Sequence, residues 1–437
     1  MIKPESTSTF PLSILDHLHF IRTQKPILDT FTAGPLFYVF MWTLSDITGA
    51  QSFLLLKITG PLLYGFLGIS FFIFIRRVLK FDKKLALFTV FLLIFSIAAL
   101  RESWDRYRDV LALTFLFATL TALSLKDSNK KYMLTIGLSV LTVLSRDYIG
   151  FLLIVTVLGY VLFLKKGKIK NLALFIPALI SFAITFNEVY LHWNYLSQSS
   201  VFFLKDYWFA VKDAFSIFFV CYILLLPLIL IGFRKNSFLN SLIIWLLLGS
   251  FSFIIFPWFA IPGYQRWLIL LIFPFVIYCG WGLTKISSGK KRKIASVLML
   301  VWVTFGIVFV SGIFFPFGFV PTSYVPTSLT TSSIEWSHVD ELKNSIIWLQ
   351  KNEQNNFVLL AEERFYGWTL LNLDLTRQNI TILAYSSNLE ASAALKDALN
   401  LNPDRTYLIW YAVSEIEQFQ KIYSEENLSV FKYNSLS

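Results

Sequence analysis

Charged residues are scarce in this chain of 437 residues, and the shortage bears directly on its class. They make up 15% of the sequence, whereas hydrophobic residues make up 56%; soluble domains usually carry about 25% charged residues. So few charges cannot cover the surface of a water-soluble protein of this length. The composition therefore excludes an ordinary soluble protein and indicates that much of the surface faces lipid.

Cysteine and histidine are also rare. The two cysteines, Cys221 and Cys279, both lie within apolar runs, which favours small buried side chains over a disulfide framework. The four histidines form no pair at metal-binding spacing. The sequence also contains no glycine-rich phosphate loop, no Cys-x-x-Cys and no Gly-x-Ser-x-Gly, so it lacks the usual signatures of nucleotide-binding, thiol-redox and serine-hydrolase proteins.

Long apolar runs are what the sequence has in abundance. A bilayer core requires about 20 apolar residues per helix, and a lipid-exposed segment must satisfy its own backbone hydrogen bonds, which favours helices. The sequence therefore predicts an α-helical polytopic membrane protein with about ten transmembrane helices. The predicted spans are 53–75, 84–100, 109–125, 132–145, 148–164, 171–188, 213–233, 238–257, 266–284 and 294–315.

Lysine and arginine concentrate in every second loop between these spans. This alternation is typical of cytoplasmic loops, so the net charge of +11 does not indicate a nucleic-acid-binding face, and we expect no nucleic acid partner. Ten spans place both ends of the chain outside. Because residues 1–33 contain no targeting helix, we expect a first transmembrane helix upstream of Met1. The basic loops are 76–84, 126–131, 165–170, 234–235 and 285–293.

The composition also divides the chain into three predicted regions. Residues 1–50 form an outer loop, in which the short apolar stretch 34–48 lies along the membrane interface. Residues 51–316 form the transmembrane domain, and residues 317–437 form a soluble extracytoplasmic α/β domain. In that last region we predict helices at 334–352, 387–399 and 413–424, and strands at 356–361, 380–384, 405–411 and 428–432.

The predicted outer loops carry carboxylates and arginines beside apolar runs, around Asp16, in 101–109, in 145–148 and in 262–267. Such charges are costly at a membrane boundary unless they are paired or hydrated. Their concentration on one face predicts a cleft. A carboxylate there could act as a general base on an acceptor hydroxyl, and an arginine could hold a phosphate through two hydrogen bonds.

Structural roles would also explain these residues. The arginines of 101–108 can pair with the carboxylates of 102–109 at a helix end, and Arg146 can pair with Asp147. Tyr264 is typical of a side chain that anchors a helix at the interface. The histidines at 17 and 19 fit interface positions better than metal ligands.

The order of these features resembles the GT-C superfamily of polyprenyl-phosphate-dependent glycosyltransferases, which includes protein O-mannosyltransferases and aminoarabinose transferases. Asp16, followed by the run Gly34-Pro35-Leu36-Phe37-Tyr38, resembles the family's first outer loop, with its acidic residue and interfacial helix. Two spans and a second acidic outer loop at 102–109 follow in the same order. The chain departs from the pattern because the first helix and the usual Asp-Glu doublet are missing.

The resemblance implies transfer of a sugar from a polyprenyl-phosphate donor to a protein, lipid or glycan acceptor at the outer membrane face. The membrane would be the cell membrane, or the endoplasmic reticulum in a eukaryote. The resemblance does not fix a cofactor, although a divalent cation would fit the acidic loop. The implied catalytic residues are Asp16 as general base with Asp105, Glu102 and Asp109; Arg146, Arg266 and Arg101 would bind the lipid phosphate, and His19, Tyr264 and Asp147 would line the substrate.

Two other functions remain open at this point. A transporter or lipid-carbohydrate flippase would explain the spans, but such proteins favour charges within the membrane and internal repeats, and this sequence has few of the former and no clear repeat. A non-catalytic scaffold whose outer domain binds a partner would also fit.

Overall fold

The computed structural model describes two compact units, residues 34–310 and residues 336–434. The described residues exclude 51, 164–168, 191–206, 234–235, 258–263 and 287–288 in the first unit, and 354–355, 363–364, 367–368, 370–371, 374–379, 386–387 and 412–415 in the second.

The described part of the first unit consists of helices joined by short connections. In the described residues each predicted span falls on one helix or on two consecutive helices; residues 164 and 311–315 of these spans lie outside the described residues. The helices are α1 Leu36–Thr48, α2 Ser52–Arg77, α3 Lys83–Ile94, α4 Ile97–Asp105, α5 Tyr107–Leu123, α6 Asn129–Ser145, α7 Asp147–Phe163, α8 Ile169–Ala173, α9 Ile176–Tyr190, α10 Tyr207–Tyr222, α11 Leu226–Gly232, α12 Ser237–Ile255, α13 Tyr264–Leu270, α14 Ile272–Lys285 and α15 Lys290–Val310.

Length and composition qualify only some of these helices as membrane spans. Ile58–Arg77, Phe238–Ile255 and Tyr264–Lys285 are long and apolar enough to cross a bilayer. Two bent pairs, α3 with α4 and α10 with α11, also qualify if each pair is one span. The described residues therefore contain three to five candidate spans, and the number ten stays a prediction.

The two bends have local causes. Helix α4 turns 65° away from α3 because Ser96 caps its start: the Ser96 Oγ accepts a hydrogen bond from the Ala99 backbone N–H at 3.1 Å, a typical helix-initiating contact. Helix α11 turns 77° away from α10, and a proline in its first turn fits a new start better than a continuation.

Contacts between helices show which ends lie together. The start of α5 lies beside the first half of α2, since a Cβ added to Gly60 would come within 2.6 Å of the Tyr107 ring. Further along the same two helices, the Ser70 hydroxyl donates to the Thr114 carbonyl at 2.8 Å. Helices α2 and α5 therefore run in the same direction, and the connections that follow them share one end of the unit.

Other basic connections meet at this same end. Phe81, just after α2, packs edge-on against Trp281 near the end of α14, with ring centroids 5.3 Å apart. The Lys285 ammonium, in the last turn of α14, donates to the Ile231 carbonyl near the end of α11 at 2.9 Å. We call this region, with Arg76, Arg77, Lys80 and Lys285, the basic end. The gathering of basic loops at one end fits the alternation found in the sequence.

The second unit is a five-stranded sheet with helices on both faces. The strands lie in the order β2-β1-β3-β5-β4; β1 pairs in parallel with β2 and β3, and β5 pairs antiparallel with β3 and β4. Leu342 and Ile346 of the first helix pack against one face, and Ala394 and Ala398 of the second helix pack against the other. The elements are α16 Trp336–Asn352, β1 Phe357–Glu362, β2 Ile380–Tyr385, α17 Asn388–Leu401, β3 Thr406–Tyr411, β4 Phe419–Ser424 and β5 Leu428–Tyr433.

One predicted element in this unit is wrong. Residues 413–424 were expected to form a helix, but 419–424 form strand β4, which is paired with β5. Gln418 has a φ of +65°, a left-handed conformation that interrupts a helix. The ring of Tyr423 stacks on Trp348 of α16 at 4.7 Å, so burial against the sheet core outweighs the weak local helical preference.

Candidate functional site

Charged side chains collect at the end of the first unit opposite the basic end. We call this group the arginine–carboxylate cluster and define it by side chains that lie within electrostatic range of one another. Among the side chains that the structure describes, five arginines face three carboxylates, so positive charges exceed negative ones by two. The members are Arg101, Glu102, Arg106, Arg108, Asp109, Arg146, Asp147 and Arg266.

Breaks between helices position these residues. Arg106 lies between α4 and α5, and Arg146 lies between α6 and α7. Arg266 belongs to the first turn of the short helix α13. Helix ends leave backbone groups unpaired and can turn side chains inward, so three separate breaks deliver charged groups to one place.

Asp109 has partners on both carboxylate oxygens. The Arg146 Nε lies 3.1 Å from Oδ1, and the Tyr148 hydroxyl donates to Oδ2 at 2.6 Å. Only 1% of Asp109 is exposed. A carboxylate held by a cation and a hydroxyl is stabilised in its charged form, so this arrangement suits positioning of Arg146 better than proton transfer.

Arg146 also has a second carboxylate nearby. Its Nε lies 3.8 Å from Oδ1 of Asp147, so the two residues do form the pair that the sequence suggested. Burial would lower the pKa of the Arg146 guanidinium, but Asp109 and Asp147 outweigh it and raise the pKa above its usual value. Arg146 is therefore a fixed positive charge at every physiological pH.

Glu102 differs from Asp109 in having one satisfied oxygen and one that is not. The carboxylate is fully buried, and its Oε1 accepts a hydrogen bond from the Arg106 guanidinium. Its Oε2 is also buried and has no hydrogen-bond partner among the residues that the structure describes. A buried acceptor without a donor costs about 1–3 kcal/mol or more, so Oε2 is where the donor group of a ligand would be stabilised most.

The start of α1 reaches the same cluster. Gly34 has a φ of +80°, and a Cβ there would lie 2.5 Å from the Ser145 carbonyl oxygen, so the chain passes directly against the break that carries Arg146. The Arg108 guanidinium lies over the Tyr38 ring, 5.2 Å from its centroid, a favourable cation–π distance. The stretch predicted as an interfacial helix therefore forms one wall of the cluster.

Tyr264 belongs to a different polar group. Its hydroxyl donates to Oδ2 of Asp213 at 3.0 Å, and the Gln265 amide donates to the same atom at 3.2 Å. Asp213 was not singled out from the sequence, although a lone carboxylate at the start of a predicted span was a usable signal. Tyr264 thus holds a buried carboxylate, which adds a structural task to its expected substrate-lining role.

The structure brings together six of the expected site residues: Arg101, Glu102, Asp109, Arg146, Asp147 and Arg266. The backbone of Asp105 ends α4, but its side chain lies outside the described part of the structure, as do Asp16 and His19 altogether. Sequence reasoning gave no site role to Arg106 and Arg108, which belong to the cluster, or to Tyr38 and Tyr148, which contact it.

The charge balance of the cluster favours an anionic ligand. In the described ranges no three histidine, cysteine, aspartate or glutamate side chains gather as a metal site would require, and arginine outnumbers carboxylate. Guanidinium groups match the geometry of phosphate oxygens, so a phosphate group suits this cluster chemically. No protein-family model matches the chain, and no curated protein matches it.

Proposed function

We propose that this chain is a membrane glycosyltransferase that transfers a sugar from a polyprenyl-phosphate donor to a protein, lipid or glycan acceptor. The observation that carries the proposal is the unpartnered Oε2 of Glu102, buried beside an excess of arginines. A group-transfer site for such a donor requires cations for the phosphate and an acceptor atom for the incoming hydroxyl proton. Both lie at one end of a helical unit whose apolar helices suit a bilayer.

The arginines would hold the donor phosphate. Arg146 and Arg266 lie close enough to interact electrostatically, and so do Arg101 and Glu102. Charge-assisted contacts to phosphate are stronger than neutral hydrogen bonds. Cations fixed before the reaction would also stabilise the charge that develops on the departing phosphate.

The transfer step follows from this arrangement. The bond between the anomeric carbon and the phosphate oxygen breaks, and its electron pair leaves with the polyprenyl phosphate. A lone pair on the acceptor hydroxyl oxygen forms the new glycosidic bond, and the hydroxyl proton passes to Oε2 of Glu102 as general base. The family resemblance implies Asp16 for this role; Asp16 lies outside the described residues, and Glu102 is the base that the described geometry supports.

The two bent helix pairs favour a second candidate, a transporter or flippase for a lipid-linked sugar. Broken helices often surround the substrate site of transporters, and α3–α4 and α10–α11 are bent by 65° and 77°. In that case the same arginines would bind the phosphate, and no covalent change would follow.

The experiment that separates these candidates uses the full chain reconstituted in liposomes with a labelled polyprenyl-phosphate sugar. Protein, lipid and glycan fractions serve as acceptors, and the readout is released polyprenyl phosphate together with label on an acceptor. Release supports sugar transfer. Movement of intact donor between leaflets without release supports the transporter. If neither release nor movement is observed, both proposals are contradicted.

A further inference from the structure

A second candidate ligand site lies at the basic end, far from the arginine–carboxylate cluster. It is a cavity of about 460 Å³ where α2 ends. Seventeen residues of α2 separate its contact with Tyr107 from its end, roughly 25 Å at the helical rise of 1.5 Å per residue. The lining residues are Phe72, Ile73, Arg76, Arg77, Lys80 and Phe81.

The lining is half cationic and half apolar. Three of the six side chains are basic and three are apolar, and none of the six is acidic. Phe81 is buried and forms the floor against Trp281, while the three cations are exposed. A ligand that fits such a lining has a negative group and an apolar part.

The turn after α2 holds the Arg76 side chain in place. The Arg76 guanidinium donates to the Phe81 carbonyl at 2.6 Å, and the Phe81 backbone N–H donates back to the Ile75 carbonyl at 3.2 Å. Lys80 takes a left-handed φ of 60°, which is uncommon for a residue other than glycine. The chain thus folds back over the end of α2 and holds basic side chains around the opening.

A stripe of exposed apolar side chains on α2 leads to this opening. Ile58, Leu62, Phe66, Ile69 and Ile73 follow one another at intervals of three or four residues, with 38–57% of each exposed. That spacing places them on one face of the helix. Arg76 and Arg77 follow Ile73 by three and four residues, so they lie at the end of the same face.

We propose that this cavity and stripe bind one anionic phospholipid, with the phosphate among Arg76, Arg77 and Lys80 and an acyl chain along the stripe. The choice of occupant follows from charge and shape: an amphiphile with a negative head matches both the cations and a row of apolar side chains about 20 Å long. The proposal depends on α2 lying in a bilayer and not on sugar transfer, so the two proposals can fail separately.

The test compares two double variants of the full chain in nanodiscs that contain equal amounts of phosphatidylglycerol and phosphatidylcholine. Arg77→Gln with Lys80→Gln removes two cavity cations and keeps the Arg76 contact that holds the turn. Lys83→Gln with Lys84→Gln removes two exposed charges just outside the cavity and serves as the matched control. Lipids that stay bound after release from the nanodisc are counted by native mass spectrometry.

We expect the unaltered chain and the control to retain one phosphatidylglycerol in preference to phosphatidylcholine. The amount of phosphatidylglycerol bound to the cavity variant should be lower by about ten-fold or more, given the usual contribution of basic side chains beside anionic lipid. Equal loss in both variants would overturn the site, because it would mean a general surface attraction. Equal retention of phosphatidylcholine would overturn it as well.

A second arm separates a lipid from a free anion. If the phosphate alone were recognised, millimolar inorganic phosphate would displace the bound phosphatidylglycerol, which would contradict the proposed lipid. Retention in the presence of inorganic phosphate supports it. Variant folding is checked by thermal unfolding; if the cavity variant unfolds early, Arg77→Gln alone replaces it, and the same loss of lipid is expected in smaller degree.

Discussion

The two ends of the helical unit both carry many basic side chains, but they hold them in different ways. At the basic end Arg76, Arg77 and Lys80 are exposed, where their charges can be solvated at little cost. At the other end Glu102 and Asp109 are fully or almost fully buried among arginines. Burying charges is costly unless partners compensate, so the buried cluster is the region where a functional reason for the charges is strongest.

The largest effect on stability is expected when an ion pair of the buried cluster is broken. Asp109→Asn keeps the size of the side chain but removes the charge that faces Arg146 at 3.1 Å. Among the described carboxylates, Arg146 would keep only the more distant Asp147, 3.8 Å away. Because breaking a buried ion pair typically destabilises a protein by about 3–5 kcal/mol, we expect a loss of about 3 kcal/mol. Denaturant unfolding in mixed micelles measures the change.

The matched variant for that prediction is Asp82→Asn at the basic end. Asp82 is exposed and accepts a hydrogen bond from the Leu85 backbone N–H at 2.9 Å, and asparagine caps a helix equally well, so little stability should be lost. Equal losses of stability in the two variants would contradict the distinction drawn between the ends.

A smaller effect is expected on donor affinity. Arg266→Ala removes one cation from the cluster, and a hydrogen bond to a charged group contributes about 1.5–3 kcal/mol. The dissociation constant for a polyprenyl-phosphate sugar should therefore rise about ten- to hundred-fold. Binding is measured with labelled donor in nanodiscs.

The control for donor affinity is Lys83→Ala, which removes a cation from the exposed start of α3. Its donor affinity should match that of the unaltered chain. If Arg266→Ala binds the donor equally well, Arg266 has a structural role only, and the phosphate lies elsewhere.

The smallest expected effect concerns two glycines with left-handed φ angles. Gly34→Ala would push a Cβ to 2.5 Å from the Ser145 carbonyl oxygen, whereas Gly49→Ala would meet nothing within 4 Å. Both variants carry backbone strain of about 1–3 kcal/mol, but only the first should also displace the break that carries Arg146.

That difference can be read from two measurements on the same pair. The unfolding temperature should fall in both variants, and by more in Gly34→Ala. Donor affinity should fall only in Gly34→Ala. A loss of donor affinity in Gly49→Ala as well would mean that the close contact of Gly34 with Ser145 is unimportant for the site.

Much of the helical architecture could be predicted from the sequence because its signals are local. Apolar runs marked the helices, and the basic loops gave the end at which α2 and α14 finish. The bend at Ser96 was missed because the apolar run 84–100 continues through Ser96 without a proline or glycine to mark a break. Strand β4 was missed for a related reason: its six residues carry no strong preference, and pairing with β5 decided their structure.

The candidate site was predictable only in part. The loops that carry Glu102, Asp109, Arg146 and Arg266 were recognised because charges beside apolar runs are unusual. The pairing of Asp109 with Arg146 could not be predicted. The two residues are far apart in the chain, and only the packing of α5 against α6 and α7 brings them together. Nothing local in the sequence separates Asp109, whose oxygens are both satisfied, from Glu102, which has one buried oxygen without a partner.

The measurement that tests the central claim most directly is the rate of polyprenyl phosphate release by Glu102→Gln beside Asp82→Asn. Asp82 caps α3 at the basic end, and asparagine caps a helix equally well, so that variant removes a carboxylate with little structural change. We predict that Glu102→Gln lowers the rate by 10²–10⁴-fold, the usual contribution of a general base, with donor affinity unchanged and Asp82→Asn fully active. The rates are compared at a temperature where thermal unfolding shows both variants folded, because Glu102 also pairs with the buried Arg106. A Glu102→Gln variant that transfers sugar at the rate of the unaltered chain would contradict the account.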